Sequence, residues 1–173
     1  MRTRQSRPKL QPVHEEIGDL LSVEGEDRFS CPKEIRKKAM DFLARREYGF
    51  EELTRKLADK GYQRTLVENE LVRLGDEGLQ SDTRFAETFV QSRINQGKGP
   101  VRIRADLGQR GVRDGIVEEA LENAAVDWFE LAQRERVKKF GAERPADFKE
   151  KARQMRFLQY RGFEQDHIQA AVE

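Results

Sequence analysis

The 173-residue sequence has few of the residues on which most catalytic and metal sites depend. It holds one cysteine, Cys31, and two histidines, His14 and His167. A single cysteine excludes an intramolecular disulfide and a cysteine-based zinc site. Neither histidine has a nucleophile or a metal-ligand pattern around it. We therefore expect no catalytic residue, no metal, no cofactor and no enzymatic activity.

Long apolar runs are missing as well. No segment approaches the roughly 18 apolar residues of a membrane span, and no signal-peptide core follows Met1. We therefore expect a cytoplasmic protein with no membrane partner. A large excess of one charge is also missing, because 33 Lys and Arg face 32 Asp and Glu. This balance excludes a uniformly basic protein that coats nucleic acid.

Charge itself is abundant, and it is segregated along the chain. Charged residues make up 38% of the sequence, against about 25% in an average soluble domain. Residues 93–113 carry six basic residues and one acid, the next twenty carry six acids and no base, and residues 134–161 are basic again. Alternation of this kind suggests a unit that recurs.

A repeated pattern around three glycines supports a recurring unit. Gly61, Gly111 and Gly162 lie 50 and 51 residues apart. Apolar residues stand at −4, +1, +6 and +10 from each of them: Leu57, Tyr62, Val67 and Leu71; Leu107, Val112, Val117 and Leu121; Leu158, Phe163, Ile168 and Val172. Fixed spacing of this kind indicates internal repeats.

The spacing around each glycine predicts the end of one helix and the start of another. A glycine in the left-handed conformation ends many helices, and the next residue then packs against the residue four before the glycine. Positions +6 and +10 share one face of a following helix. Gly61, Gly111 and Gly162 are therefore interpreted as structural helix stops.

A further amphipathic helix precedes each of these pairs, and Pro100 and Pro145 are expected in the first turns of helices. The sequence thus predicts an all-α fold of about nine helices, arranged as an elongated, curved array of three tandem three-helix repeats. We place the repeats at 30–78, 79–124 and 125–173. Residues 1–29, basic and then acidic, are expected to form a flexible extension.

Two basic segments are the candidate binding residues. The middle repeat offers Lys98, Arg102, Arg104, Arg110 and Arg113, and the third offers Arg153, Arg156 and Arg161. Merged across neighbouring repeats, they would form a basic stripe able to contact phosphates or an acidic protein surface. The alternative is a solvated face whose charges pair with the nearby acids. Gly97-Lys-Gly-Pro100 lacks the spacing and ending of a P-loop.

Four segments together resemble the RecX family of bacterial regulatory proteins. They are ELTRKLADKG at 52–61, DTRFA at 82–86, GKGPVRIRADL at 97–107 and RFLQYRGF at 156–163. The likeness covers about residues 33–173, and the GKGP segment is its most specific part. The resemblance implies the elongated helical fold that the repeats predict independently.

The resemblance also implies a function. Proteins similar to this one bind the filament of the RecA recombinase on DNA and mostly inhibit its extension, ATPase, strand exchange and co-protease activity. Regulation of recombination, DNA repair and the SOS response would follow, with a monomer as the expected state. Direct contact with single- or double-stranded DNA stays open. The alternatives are a nucleic-acid-binding helical module that acts on recombination indirectly, and a scaffold for another partner.

Overall fold

The computed structural model describes residues 27–173, which contain helices and no strand. A 3-10 helix, Asp27–Ser30, precedes nine α-helices: α1 (Pro32–Leu43), α2 (Phe50–Ala58), α3 (Arg64–Asp76), α4 (Asp82–Asn95), α5 (Pro100–Gln109), α6 (Asp114–Asn123), α7 (Trp128–Phe140), α8 (Phe148–Arg161) and α9 (Gln165–Val172). The predicted all-α class with three-helix repeats is confirmed. Residues 1–26, most of the predicted extension, lie outside the described residues.

The helices begin where the sequence supplies caps. Ser81, Asp127 and Asp147 each precede a helix and accept hydrogen bonds from its first backbone N–H groups, which have no partner within the helix. Pro100 occupies the first turn of α5, as predicted. The prediction for Pro145 is wrong. It lies in the loop before α8, because Asp147 caps that helix two residues later.

Each repeat glycine ends the second helix of its unit in the left-handed conformation. The φ angles are +97° at Gly61, +77° at Gly111 and +89° at Gly162. In each unit the N–H after the glycine donates to the carbonyl five residues back, over 3.2 Å: Tyr62 to Leu57, Val112 to Leu107 and Phe163 to Leu158. These bonds satisfy carbonyl groups that the helix end would otherwise leave open.

Two apolar cores hold the molecule together. Unit 1 (α1–α3) has its own core, in which Ile35, Leu57 and Leu71 are fully buried. Units 2 (α4–α6) and 3 (α7–α9) share one continuous core that runs from Phe85 to Val172. Burying one leucine contributes about 1.5–3 kcal/mol. Units 2 and 3 are therefore joined by apolar packing more closely than either is to unit 1.

The junctions between consecutive units follow one rule. The glycine that ends the second helix of one unit lies against the first turn of the second helix of the unit before it. A Cβ on Gly111 would come within 2.7 Å of Glu51 Cβ in α2, and a Cβ on Gly162 within 2.6 Å of Arg102 N in α5. Within the described chain, every hydrogen bond between units joins two consecutive units, either 1 and 2 or 2 and 3. This is the organisation of a linear repeat array.

Candidate partner-binding face of the second and third units

The junction between units 2 and 3 holds three of the predicted binding residues. Backbone bonds fix it: Gly99 N donates to Arg161 O over 2.9 Å, and Val101 N donates to Gly162 O over 3.0 Å. Gly99 permits this approach, because a Cβ there would collide with the Gly162 carbonyl. The loop between α4 and α5 is thereby held against the end of α8.

Four cations surround this loop, and we call them the junction cluster: Arg93, Lys98, Arg102 and Arg161. Asp106 is their main counter-charge, with Arg102 Nε 3.0 Å and Arg93 Nε 3.5 Å from its carboxylate oxygens. Partial burial lowers the pKa of Lys98, and the charges of Arg161, Arg102 and Arg93 lower it further. The cluster is therefore a place where an incoming anion would relieve repulsion.

A buried carboxylate, that of Glu135, lies beside the junction cluster and next to Arg161. Glu135 of α7 is only 6% exposed, and its carboxyl group fills the space that a Cβ on Gly97 would need. Its Oε2 atom lies 3.7 Å from Arg161 Nη1, and the same Nη1 donates to Gln96 O over 2.7 Å. The guanidinium group of Arg161 is thus held by groups from both units, which fixes the orientation of the side chain.

A second basic surface continues from Arg161 along α8. The guanidinium of Arg161 lies 5.1 Å from the centre of the Phe157 ring. That ring meets Phe140 edge-to-face at 5.3 Å, and Arg153 covers Phe140 at 5.1 Å. We call the groove that these side chains line the α8 strip; it comprises Lys139, Phe140, Arg153, Arg156, Phe157 and Tyr160. The strip therefore contains both cationic and aromatic groups.

Three of the predicted residues are placed differently. Arg104 donates to Glu118 over 2.7 Å and to Glu164 over 2.8 Å, and these hydrogen bonds raise its pKa. Its charge is therefore satisfied within the protein, in a network that links α5, α6 and the start of α9. Arg110 donates to Asp106 O and covers the Phe89 ring, whereas Arg113 is exposed at the start of α6.

Sequence reasoning missed Arg93 and Phe140, which lie in these surfaces. Arg93 is the first residue of the basic segment 93–113, so the charge pattern of the sequence already indicated a basic surface there. Phe140 ends α7, and nothing in the sequence pairs it with Phe157. Arg136, counted in the basic segment of unit 3, is 5% exposed and donates to Glu143 O. It holds the loop before α8 and does not face a partner.

Of the two histidines, His14 lies outside the described residues and His167 has structural surroundings. His167 is buried, meets the Phe129 ring edge-to-face at 4.7 Å and accepts a hydrogen bond from Glu164 N. Among the described residues, no three His, Cys, Asp or Glu side chains lie together as a metal site. Within residues 27–173, none of the helices has the length and apolar character of a membrane-spanning segment.

These features define a class: an array of three-helix units whose second and third members carry a joint basic face. The family model for the second three-helix domain of RecX matches residues 81–121, and the model for the third matches residues 125–172. The chain belongs to the RecX family of regulatory proteins.

Curated relatives and solved structures support this assignment. The chain is 49% identical to the regulatory protein RecX of Halorhodospira halophila over 138 residues, which is 80% of this chain and 86% of that one. It is 50% identical to RecX of Pseudomonas syringae over 79% of this chain and 88% of that one. The crystal structure of RecX from Lactobacillus salivarius, at 21% identity, has the same fold, with a TM-score of 0.67 over 84% of this chain and 95% of that one.

Proposed function

We propose that this protein binds the RecA–DNA filament and inhibits filament extension. Lower ATPase, strand-exchange and co-protease activities would follow, and with them regulation of recombination, DNA repair and the SOS response. Family membership supports a regulatory role, and the junction cluster is the observation that carries the proposed contact. We further propose that the protein acts as a cytoplasmic monomer without catalytic activity of its own.

The junction cluster suits a partner that presents acidic groups. Four cations share Asp106 and Glu135 as their nearby acids, so the cluster keeps a net positive charge. Because it lies at the contact of two units, a partner bound there touches both of them. Carboxylates of a protein surface or phosphates of DNA both complement it.

The test is inhibition of the DNA-dependent ATPase of RecA by the purified protein at two salt concentrations. The double variant Lys98→Glu/Arg102→Glu is expected to need about tenfold more protein for half-inhibition, because it reverses two charges of the contact. Lys33→Glu/Arg45→Glu makes the same change of charge on exposed positions of unit 1 and should leave inhibition unchanged. Circular dichroism and Tm establish that each variant is folded.

Two results would count against the proposal. One is an ATPase rate that the wild-type protein leaves unchanged at every ratio to RecA. The other is equal loss of inhibition in both double variants, which would indicate non-specific charge attraction. The ratio at half-inhibition also separates two mechanisms. Inhibition at a few copies per filament indicates capping of filament ends, and inhibition near one copy per few RecA protomers indicates coating of the groove.

A second candidate is a nucleic-acid-binding module that acts on recombination indirectly. The exposed ring of Tyr160 beside Arg156 in the α8 strip favours it. This candidate predicts that inhibition disappears when single-stranded DNA is present in excess over both proteins. Filament binding predicts that inhibition persists under the same conditions.

A further inference from the structure

The α8 strip has a feature that attraction between opposite charges does not explain. Tyr160 is 83% exposed, and within the described chain no other ring or guanidinium group stacks on it. By contrast, the Phe140 and Phe157 rings are each covered by an arginine. One flat aromatic surface of the strip is therefore open.

Helical geometry places cations on both sides of that ring. Arg153, Arg156, Phe157, Tyr160 and Arg161 stand at i, i+3, i+4, i+7 and i+8 of α8, so they share one face of the helix. Lys139, at the end of α7, adds a further positive charge to the same groove. Among the described residues, the acids paired with this set are Glu150, whose oxygen lies 3.7 Å from Arg153, and Glu135, whose oxygen lies 3.7 Å from Arg161. The strip is therefore strongly positive.

The chemistry of these groups suits the two parts of a nucleotide, the base and the phosphate. An aromatic face accepts any base that is not already stacked in a duplex, and the flanking guanidinium groups accept the phosphates. The bases of a double helix are stacked on each other and present only their edges. An acidic peptide would use the cations and would gain little from an open aromatic face.

We propose that the α8 strip is a binding site for single-stranded nucleic acid, in which an unpaired base stacks on Tyr160 while Arg153 and Arg156 contact the adjacent phosphates. This site operates in the protein alone and does not depend on the proposed contact with RecA. It adds a strand-binding surface in unit 3 to the junction cluster.

Fluorescence anisotropy with the full chain and no recombinase tests the site. The three probes are an oligothymidylate of about 20 nucleotides, a hairpin duplex with the same number of phosphates, and a polyglutamate peptide. The oligothymidylate is expected to bind most tightly. Tyr160→Ala should weaken its binding about tenfold, because stacking of one base is lost. Tyr160→Phe should keep the affinity, since the ring remains.

Two further variants distinguish base stacking on Tyr160 from the effect of charge and from the effect of any exposed aromatic ring. Phe148, at the start of α8, is 86% exposed and does not line the strip. Phe148→Ala should therefore change the affinity less than twofold. Arg156→Gln should flatten the dependence of log affinity on log salt by about 0.7, the value for one single-strand phosphate contact.

Three outcomes would overturn the site. In the first, Tyr160→Ala binds the oligothymidylate within twofold of wild type. In the second, the duplex binds as tightly as the single strand, which would show that the strip contacts phosphates and does not stack on a base. In the third, polyglutamate binds as tightly as the oligothymidylate and loses the same affinity in Tyr160→Ala, which would make the strip an acidic-peptide site. Because Tyr160 is so exposed, its truncation removes almost no packing, and a loss of affinity reports on binding.

Discussion

At Lys98 the proposed role in binding and the stability of the fold oppose each other. Its ammonium group is partly buried and lies among Arg93, Arg102 and Arg161, and both effects lower its pKa. A positive charge is therefore held where the folded protein disfavours it. Residues that break a local rule in this way are frequent at binding sites.

Lys98→Met is expected to stabilise the protein while weakening its binding. Methionine keeps most of the apolar stem and removes the repelled charge, so Tm should rise by about 1–2 °C. Half-inhibition of RecA should require more protein, because one cation of the contact is gone. Thermal unfolding and the ATPase titration measure the two effects. A variant with lower Tm and unchanged inhibition would show that Lys98 serves the fold.

The sign of the linkage at Lys98 gives a further control. A lysine with a lowered pKa in the folded state is more readily protonated in the unfolded chain. Stability therefore rises with pH as the lysine loses its proton, from its folded pKa up to the ordinary value of 10.5. The stabilisation in Lys98→Met should be largest below this window and should fade within it.

Gly111 and Gly108 lie three residues apart, and we expect substitutions at them to have opposite effects. Gly111 has a φ of +77°, and a Cβ there would lie 2.7 Å from Glu51 Cβ. Gly111→Val should cost more than about 1 kcal/mol of unfolding free energy, because strain and the clash add. Gly108 lies within α5 with open space around it, and Gly108→Ala should gain about 0.5–1 kcal/mol. Urea unfolding of both variants measures this, and destabilisation in both would contradict the assignment.

At the level of helices, α2 and α3 are tied together by Glu51. Its carboxylate accepts from Arg64 over 3.0 Å and from Arg55 over 3.2 Å, and the bond from Arg64 has the largest share in lowering its pKa. Glu51 also touches the Gly111 turn of unit 2. One carboxylate therefore serves both the helix pair of unit 1 and its junction with unit 2.

Glu51→Gln should make stability less sensitive to acid. A carboxylate with a lowered folded pKa stabilises the protein above the unfolded value of about 4.5 and loses this effect as pH falls further. At pH 7 the variant should be less stable by about 0.5–1 kcal/mol, since the ion pairs are partly exposed. The difference should shrink as pH falls below about 4.5 and should vanish below the folded pKa of Glu51. Glu119→Gln, on an exposed position of α6, is the control, and a constant deficit in Glu51→Gln across pH would refute the linkage.

The helices were predictable because their signals are local. The glycine stops, the proline at the start of α5 and the caps act within a few residues, so their spacing carries the information. The site was only partly predictable. Arg104 pairs with Glu164 sixty residues away, and Glu135 fills the space beside Gly97. No local pattern distinguishes such a paired arginine from one that faces solvent.

For the whole molecule, the division of the apolar core into two determines which helices we expect to unfold together. Units 2 and 3 share a core and two backbone hydrogen bonds at their junction. Unit 1 has a separate core, and it meets unit 2 through contacts such as the hydrogen bond from Phe50 N to Asp82 Oδ1 at 2.7 Å. The junction cluster and the α8 strip both lie within the unit 2–unit 3 body. The proposed binding face is thus carried on the more continuous part of the array.

This division predicts different unfolding patterns for two matched core variants. Leu57 in α2 and Leu107 in α5 are both fully buried and hold equivalent positions in their units. Either change to alanine should cost about 2–5 kcal/mol. Hydrogen exchange followed by mass spectrometry should show faster exchange confined to α1–α3 in Leu57→Ala. In Leu107→Ala it should extend over α4–α9, because the shared core opens as one body.

The same two variants connect the core to the binding face. Leu57→Ala should bind the oligothymidylate like wild type, since unit 1 contributes nothing to the α8 strip. Leu107→Ala should lose affinity in proportion to its opened fraction, because opening separates α5 from the end of α8. If both variants accelerate exchange over the same helices, the three units unfold as a single body, and the separate core of unit 1 confers no independence.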